Sequence, residues 1–411
     1  MDGTLRAVFY GVGHGIVLGV CVLGGDRFAR ALGLDYHVDG AELLRAYVFT
    51  GFPWGSPPQA LIDVLSGQAL AWVGPHGVML GLCALGWFAT LDAKRYLLAQ
   101  AAAFALIAPV VFFPADWLAP HPVGEDRPII RLVQPNAPQH EKWEADKRWT
   151  FVREGLDQTR APGDPDLILW PETSIPTLLH NADTVVQALG EAAGETPVAF
   201  GILRLEESGL IANSLLVADA SGQISQTYDK HHLVPFGEYM PLRRVFNAVG
   251  LRFIGDMFGD GFARGAGAQL LDFGPLGTAL PLICYEAVFA HDVGSAPERP
   301  DFLIQVTNDA WFGDFAGPQQ HLAQARMRAI EQGLPMARAA NTGISAMIDP
   351  YGRITAFVGL NEAGFVDAPL PAPRKATLYS KTGDKPLATL LFLVAMMCLF
   401  GRIRAGAARK S

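Results

Sequence analysis

The order of apolar and polar positions divides the chain into three zones. Near both ends the apolar residues run on without a period, whereas between about residue 125 and 370 short apolar runs alternate with mixed segments of helical length. Long unbroken runs are candidate membrane spans, and there are four of them. Residues 8–25 are Gly-rich with His14 as the polar interruption, and 64–91 is long enough to cross with some tilt, with Pro75 and His76 at a break. The third, 97–117, is uncharged until Asp116, and the fourth, 387–401, is short but strongly apolar. In the middle zone the predicted strands are 129–133, 167–170, 198–202, 214–218, 279–284, 302–307 and 343–348, and the predicted helices are 143–158, 183–193 and 319–333. Asp219-Ala-Ser-Gly222 and Asp349-Pro-Tyr-Gly352 carry hairpin-turn chemistry between β-prone flanks. Alternation of this kind predicts an α/β layered domain with mixed sheets.

Composition sharpens this division. With 32 Lys+Arg against 40 Asp+Glu the net charge is −8, half of the 411 residues are hydrophobic, and mean hydropathy is +0.22. That balance disfavours disorder, and an acidic chain without a Lys/Arg cluster disfavours nucleic acid as a partner. Four cysteines exclude a disulfide-stapled mini-domain. A cleaved leader would give the same texture over residues 1–25, with Arg6 ahead of the apolar run, but Asp2 and the later spans weigh against it. Basic residues then orient the spans. Lys94 and Arg95 lie between the second and third, and Arg402, Arg404, Arg409 and Lys410 follow the fourth, so both segments are expected on the cytoplasmic side. The 26–63 loop, with Asp26, Asp35, Asp39, Glu42 and Asp63, and the whole middle domain are expected on the opposite side.

Three residues offer chemistry. Cys284 ends an apolar run and is the only cysteine outside the candidate spans; a lone cysteine is commonly a buried core thiol, yet one at a strand end is where α/β enzymes present a nucleophile. Glu172 stands just past the end of a buried strand, where α/β sites collect, although a helix-initiating carboxylate would read the same way. Lys230 also follows a strand and could equally be a solvated charge. A thiol nucleophile needs a base for its proton and gains from a cation that steadies an oxyanion.

Longer blocks connect the three. ILWPETSIP at 168–176, YDKHHLVPFGEYMPL at 228–242 and LICYEAVF at 282–289 resemble, in order, the Glu, Lys and Cys blocks of the nitrilase superfamily. FTGFPW at 49–54, VQPNAPQ at 133–139 followed by Lys142-Trp143, TNDAWFG at 307–313, GPQQH at 317–321 and ARAANTGISAMIDPYG at 337–352 are similar to its membrane-embedded branch, the apolipoprotein N-acyltransferases. The resemblance runs from about residue 40 to the C-terminus. It implies a nitrilase-like α-β-β-α sandwich at 121–370, an N-terminal membrane region at 1–120, a linker at 371–386, a last membrane helix at 387–401 and a basic cytoplasmic tail at 402–411. The chain has fewer spans than that branch usually carries, so an N-terminally shortened member is expected.

By the same resemblance Glu172 is the general base, Lys230 the oxyanion-stabilising cation and Cys284 the nucleophile, supported by Glu238, Tyr285 and Glu286. Trp143 matches a functionally important tryptophan, with acyl-chain contact and helix packing both open. The implied reaction moves an acyl chain from a membrane phospholipid, through a Cys284 thioester, to the α-amino group of a diacylglyceryl-cysteine at the N-terminus of an apolipoprotein. The enzyme would sit in the bacterial inner membrane with its catalytic domain in the periplasm. A membrane-anchored amidase or an inactive scaffold are the alternatives. His231, His232 and His321 lack metal-ligand spacing, so neither metal nor cofactor is expected. The Gly-rich segment 240–267 is the candidate lid.

Overall fold

The structure, a computed structural model, describes residues 36–48, 51–89, 127–241 and 261–408, with isolated positions at 98, 100, 101, 105 and 113. The expected span at 8–25, nearly all of 97–117 and most of the candidate lid lie outside the described residues. The chain divides into two compact units, Met1–Ala115 with Leu378–Ser411, and Asp116–Thr377.

The larger unit holds two six-stranded sheets. The first is built from β1 (Ile129–Gln134), β2 (Leu167–Leu169), β3 (Val198–Leu205), β4 (Ile211–Ala218), β5 (Ile224–Asp229) and β12 (Gly364–Pro369), in the order β12-β1-β2-β3-β4-β5. The second uses β6 (Leu271–Asp272), β7 (Thr278–Ile283), β8 (Phe302–Thr307), β9 (Met336–Ala340), β10 (Ser345–Ile348) and β11 (Ile354–Val358), in the order β11-β10-β9-β8-β7-β6. Each sheet has a parallel trio at its centre, β1-β2-β3 and β7-β8-β9, edged by antiparallel strands.

Alternation along the central strands explains why the sheets stack. Ile130, Leu132, Leu167 and Leu169 of the first sheet share one core with Ala279, Ile283, Phe302, Ile304 and Val306 of the second. The intervening residues face outward. Val133, Ile168, Trp170 and Phe200 pack with residues of the helices Arg148–Arg160 and Asp183–Ala193. Leu280, Leu282, Leu303 and Met336 pack with Leu322, Ala325 and Ala329 of the helix Gly317–Gln332. The result is the helix-sheet-sheet-helix sandwich that was expected.

Several boundaries move. The first helix begins at Arg148, so Trp143 lies in the turn before it. Cys284 does not end β7 but opens the 3₁₀ turn Cys284–Val288. The expected linker 371–386 is tied down instead: Arg374 N–H donates to Gly333 O at 2.9 Å and the Thr377 hydroxyl to Glu331 O, after which Leu378–Thr382 is helical.

In the smaller unit, Arg45 of the helix Tyr36–Tyr47 donates to the carbonyls of Phe52 and Trp54, both at 2.8 Å, which organises residues 51–54. The helix Leu70–Ala89 breaks at Gly74-Pro75; a Cβ on Gly74, at φ +67°, would lie 2.0 Å from the Tyr379 ring. Among the described residues one helix, Leu65–Leu85, is long and apolar enough to cross a membrane. A C-terminal helix, Lys385–Ala408, has a shorter apolar part at Lys385–Met397. Asp384, at its start, accepts from Tyr47 Oη at 2.7 Å and Tyr379 Oη at 3.0 Å.

Candidate active site

The loops that follow β1, β2, β5, β7 and β8 meet at one place. Four of them carry a non-glycine residue at positive φ: Asn136, Thr173, Phe236 and Cys284. Such conformations cost about 1 kcal/mol or more each and collect where surrounding contacts impose them.

Glu172 sits three residues past β2, buried. Its Oε1 accepts from Asn213 Nδ2 at 2.7 Å and its Oε2 from the Asn308 N–H at 2.9 Å. Beside it β3 passes so closely that a Cβ on Gly201 would fall 2.6 Å from the Glu172 Cα, so only glycine fits there. Lys230, directly after β5, is fully buried, with Nζ 2.7 Å from Glu238 Oε1 and 3.7 Å from Glu172 Oε1. Glu238 uses its other oxygen to accept from the Val234 N–H at 2.8 Å, which fixes the loop between them. Burial would lower the lysine pKa, but Glu238, Glu172 and the neighbouring Cys284 outweigh it, and the ammonium is held charged far above its ordinary range.

Cys284 has φ +52° at the strand-to-turn junction, which turns its side chain out of the strand. Burial first, then the Glu172 charge, pushes the thiol pKa well up; Lys230 and a hydrogen bond with Thr307 oppose this without cancelling it. The resting sulfur is therefore a neutral thiol. The geometry thus brings together Glu172, Lys230, Glu238 and Cys284 from four separate sequence positions.

Glu286 joins the cysteine turn to the lysine loop. Fully buried, it accepts from the N–H of Ile283 at 2.7 Å, of His231 at 2.7 Å and of His232 at 3.2 Å, and from Tyr228 Oη at 2.8 Å. His231 Nδ1 lies 2.7 Å from Glu286 Oε1. Desolvation would lower the His231 pKa, but its bonds to Asp292 and Glu286 raise it to about 10. Tyr285 is buried edge-on to Phe289, with centroids 4.8 Å apart. Trp143 is 44% exposed in its turn.

His232, His291 and Asp292 bring ligand atoms within 4.8 Å of one another, with His232 Nδ1 2.6 Å from Asp292 Oδ2. His321 is elsewhere, below the thiol, so the three sequence histidines do not form one cluster.

Sequence reasoning missed Asn213, Asn308 and Lys142. Asn213 stands just ahead of the predicted strand 214–218, and Asn308 and Lys142 lie in or beside the TNDAWFG and VQPNAPQ blocks, where nothing set them apart from their neighbours. Lys142 is buried, its Nζ 3.3 Å from both the Glu172 carbonyl and Thr173 Oγ1. Desolvation, partly offset by Glu172, lowers its pKa to about 8.

A thiol, a carboxylate and a buried ammonium at the strand ends of such a sandwich define the class. Residues 129–376 match the carbon-nitrogen hydrolase family, to which the chain belongs. An amidase from Nesterenkonia sp. is a similar solved structure, at TM-score 0.46 and 18% identity over 65% of this chain and 97% of that one. Within the class the chain belongs to the apolipoprotein N-acyltransferases. It is 36% identical to the apolipoprotein N-acyltransferase of Rhodopseudomonas palustris over 395 residues, 90% of this chain and 73% of the relative. It is 39% identical to that of Brucella melitensis over 377 residues, 86% of this chain and 69% of the relative.

Proposed function

We propose that this chain transfers an acyl chain from a membrane phospholipid, through a thioester on Cys284, to the α-amino group of the diacylglyceryl-cysteine of an apolipoprotein. The observation that carries the proposal is the convergence of Glu172, Lys230 and Cys284 within a family of N-acyltransferases, with Lys230 Nζ 3.7 Å from Glu172 Oε1, the thiol pKa raised and the ammonium held charged.

Glu172 takes the Cys284 proton as the sulfur attacks the ester carbonyl, and Lys230 faces the oxyanion that forms. Collapse of the tetrahedral intermediate breaks the ester C–O bond. The proton on Glu172 goes to the departing lysophospholipid alkoxide, leaving a thioester. A neutral amine then attacks the thioester carbonyl, Glu172 accepts the amine proton, and the thiolate leaves and is reprotonated as the amide forms. Because the thiol pKa is raised, thiolate appears only with transfer to Glu172, which limits side reactions before a substrate is seated. Glu238 keeps Lys230 directed, Glu286 holds the cysteine turn and lysine loop in register, and Trp143 contributes apolar surface for an acyl chain.

The helices Leu65–Leu85 and Lys385–Ala408 are proposed to cross the inner membrane, with the sandwich on the periplasmic side. Both substrates are lipid-anchored, so a site held at the bilayer raises their effective concentration. The test is incubation of detergent-purified protein with acyl-labelled phospholipid and no acceptor. A hydroxylamine-labile acyl group on Cys284 is expected, followed by its transfer when a diacylglyceryl lipopeptide is added. Release to water with no lipopeptide acylation would instead make the chain a hydrolase.

A further inference from the structure

Beneath Cys284, on the face of the second sheet that meets the helix Gly317–Gln332, lies a set of fully or nearly fully buried polar side chains that the reaction above does not use. His321 Nε2 is 3.1 Å from the Cys284 carbonyl oxygen, and Gln305 Nε2 is 3.3 Å from that same oxygen. Gln305 Oε1 accepts from Arg338 Nη1, which fixes the amide so that its NH₂ faces the carbonyl. His321 Nδ1 is 2.8 Å from Asp309 Oδ1, and Arg338 Nη2 donates to Asp309 Oδ2. The Thr307 hydroxyl donates to Asp309 Oδ1 at 2.9 Å. Two side chains, from β8 and one helix, thus converge on a single peptide group and are held in turn by Arg338 of β9 and Asp309 of the turn after β8.

Asp309 is ionised between Arg338 and His321, so the His321 proton facing it is on Nδ1. In the imidazolium state Nε2–H donates to the Cys284 carbonyl; in the neutral state Nε2 accepts one N–H of Gln305 while the other goes to that carbonyl. Either state leaves the carbonyl with a buried, directed N–H donor. A carbonyl and the following N–H belong to one planar trans unit and point in opposite directions. Pinning the Cys284 C=O therefore fixes the plane of the Cys284–Tyr285 peptide and, with it, the left-handed backbone that presents the sulfur.

We propose that His321 and Gln305 are positioning residues for acyl transfer, acting through the Cys284 carbonyl to hold the nucleophile's peptide plane. The proposal rests on the acyl-enzyme reading only in taking Cys284 as the nucleophile. An activated ester, p-nitrophenyl butyrate, acylates such a thiol whatever the natural donor is, releasing p-nitrophenolate as the thioester forms.

The experiment measures the p-nitrophenolate burst with the full chain in detergent, for wild type, His321→Asn and His321→Gln, beside their melting temperatures. The Gln amide reaches the place of Nε2 and keeps the link to the carbonyl; the shorter Asn reaches only the place of Nδ1 and keeps the link to Asp309. The burst rate of H321N should fall about 100-fold, with the half-saturating ester concentration and the melting temperature unchanged, and H321Q should stay within about tenfold of wild type. A purely structural tie to Asp309 predicts the reverse order, and that order, or equal loss in both, overturns the proposal. Should H321N not fold, Gln305→Glu keeps the acceptor for Arg338 and removes the donor; a rate about tenfold lower is expected, and the wild-type rate overturns the proposal. A wild-type burst with the ester but no adduct from phospholipid removes the proposed donor and leaves this assignment standing. No wild-type burst from folded protein removes both.

Discussion

The first sheet and the second have the same skeleton, a parallel trio edged by antiparallel strands, yet they bring different kinds of group to the site. Loops of the first deliver charges: Glu172 after β2, Lys142 after β1 and Lys230 after β5. Loops of the second deliver a neutral thiol lying over an internally paired Asp309–Arg338 network. Architecture brings the loops together, but local partners decide what each group is. The two lysines make this plain. Both are buried; Lys230 has Glu238 at 2.7 Å and Glu172 at 3.7 Å and stays charged, whereas Lys142 has one carbonyl and one hydroxyl and falls to about 8. Desolvation acts on both, and the number of carboxylates separates them.

The largest expected effect is on the thiol side. Cys284→Ala should abolish the acyl adduct altogether, with the melting temperature nearly unchanged; a surviving adduct at another residue, detected by peptide mass spectrometry, would break the assignment of chemistry to the second sheet. On the charged side, Glu172→Gln keeps shape and loses the proposed base, and the adduct should form about 10²–10⁴ times more slowly. Lys230→Met removes the charge proposed to face the oxyanion and should cost about 10²–10³ in the same rate. An equal loss in donor half-saturation and no loss in rate would make Lys230 a binding group instead.

Smaller effects concern stability. Glu286→Gln leaves buried N–H groups of the cysteine turn and lysine loop competing for one acceptor oxygen, and should lower unfolding free energy by about 3 kcal/mol in urea titrations. Lys142 gives a pH signature. Its folded pKa, about 8, is below the unfolded value of 10.5, so the unfolded chain binds the extra proton between those limits and stability rises with pH there. Relative to Lys142→Met, wild type should gain on the order of 1 to 2 kcal/mol between pH 8 and 9.5. His231 has the opposite sign: its pKa of about 10 is raised above 6.5, so its contribution is full below pH 6.5 and is lost as pH rises through 10.

Strands buried on both faces were readable because apolar residues dominate them, and 302–307 was placed to the residue although Gln305 and Thr307 lie within it. The helix 183–193 was equally clear from its amphipathic period. The edge strands β5 and β11 were legible only through their turns, since Ile224-Ser-Gln-Thr-Tyr-Asp229 is half solvated and mixes polar with apolar residues, and β12 was not read at all. β9 was hidden by Arg338, a charge inside a buried strand that is tolerable only because Asp309 and Gln305 meet it from elsewhere in the sequence. The same holds for the site. Glu172, Lys230 and Cys284 sit in blocks with a family resemblance, and so do Lys142 and Asn308, but what those two and Asn213 do depends on distances that no local pattern encodes.

Glu286 has a mechanical consequence. By accepting N–H groups from both Ile283 and His231 it rivets the turn bearing the sulfur to the loop bearing the ammonium, two segments separated by more than fifty positions in the chain. The sulfur and the ammonium then move as one body. If the proposed reaction holds, a bulky acyl donor entering such a site has to find its slack in the outer walls, because the gap between the Cys284 sulfur and the Lys230 ammonium is set before it arrives.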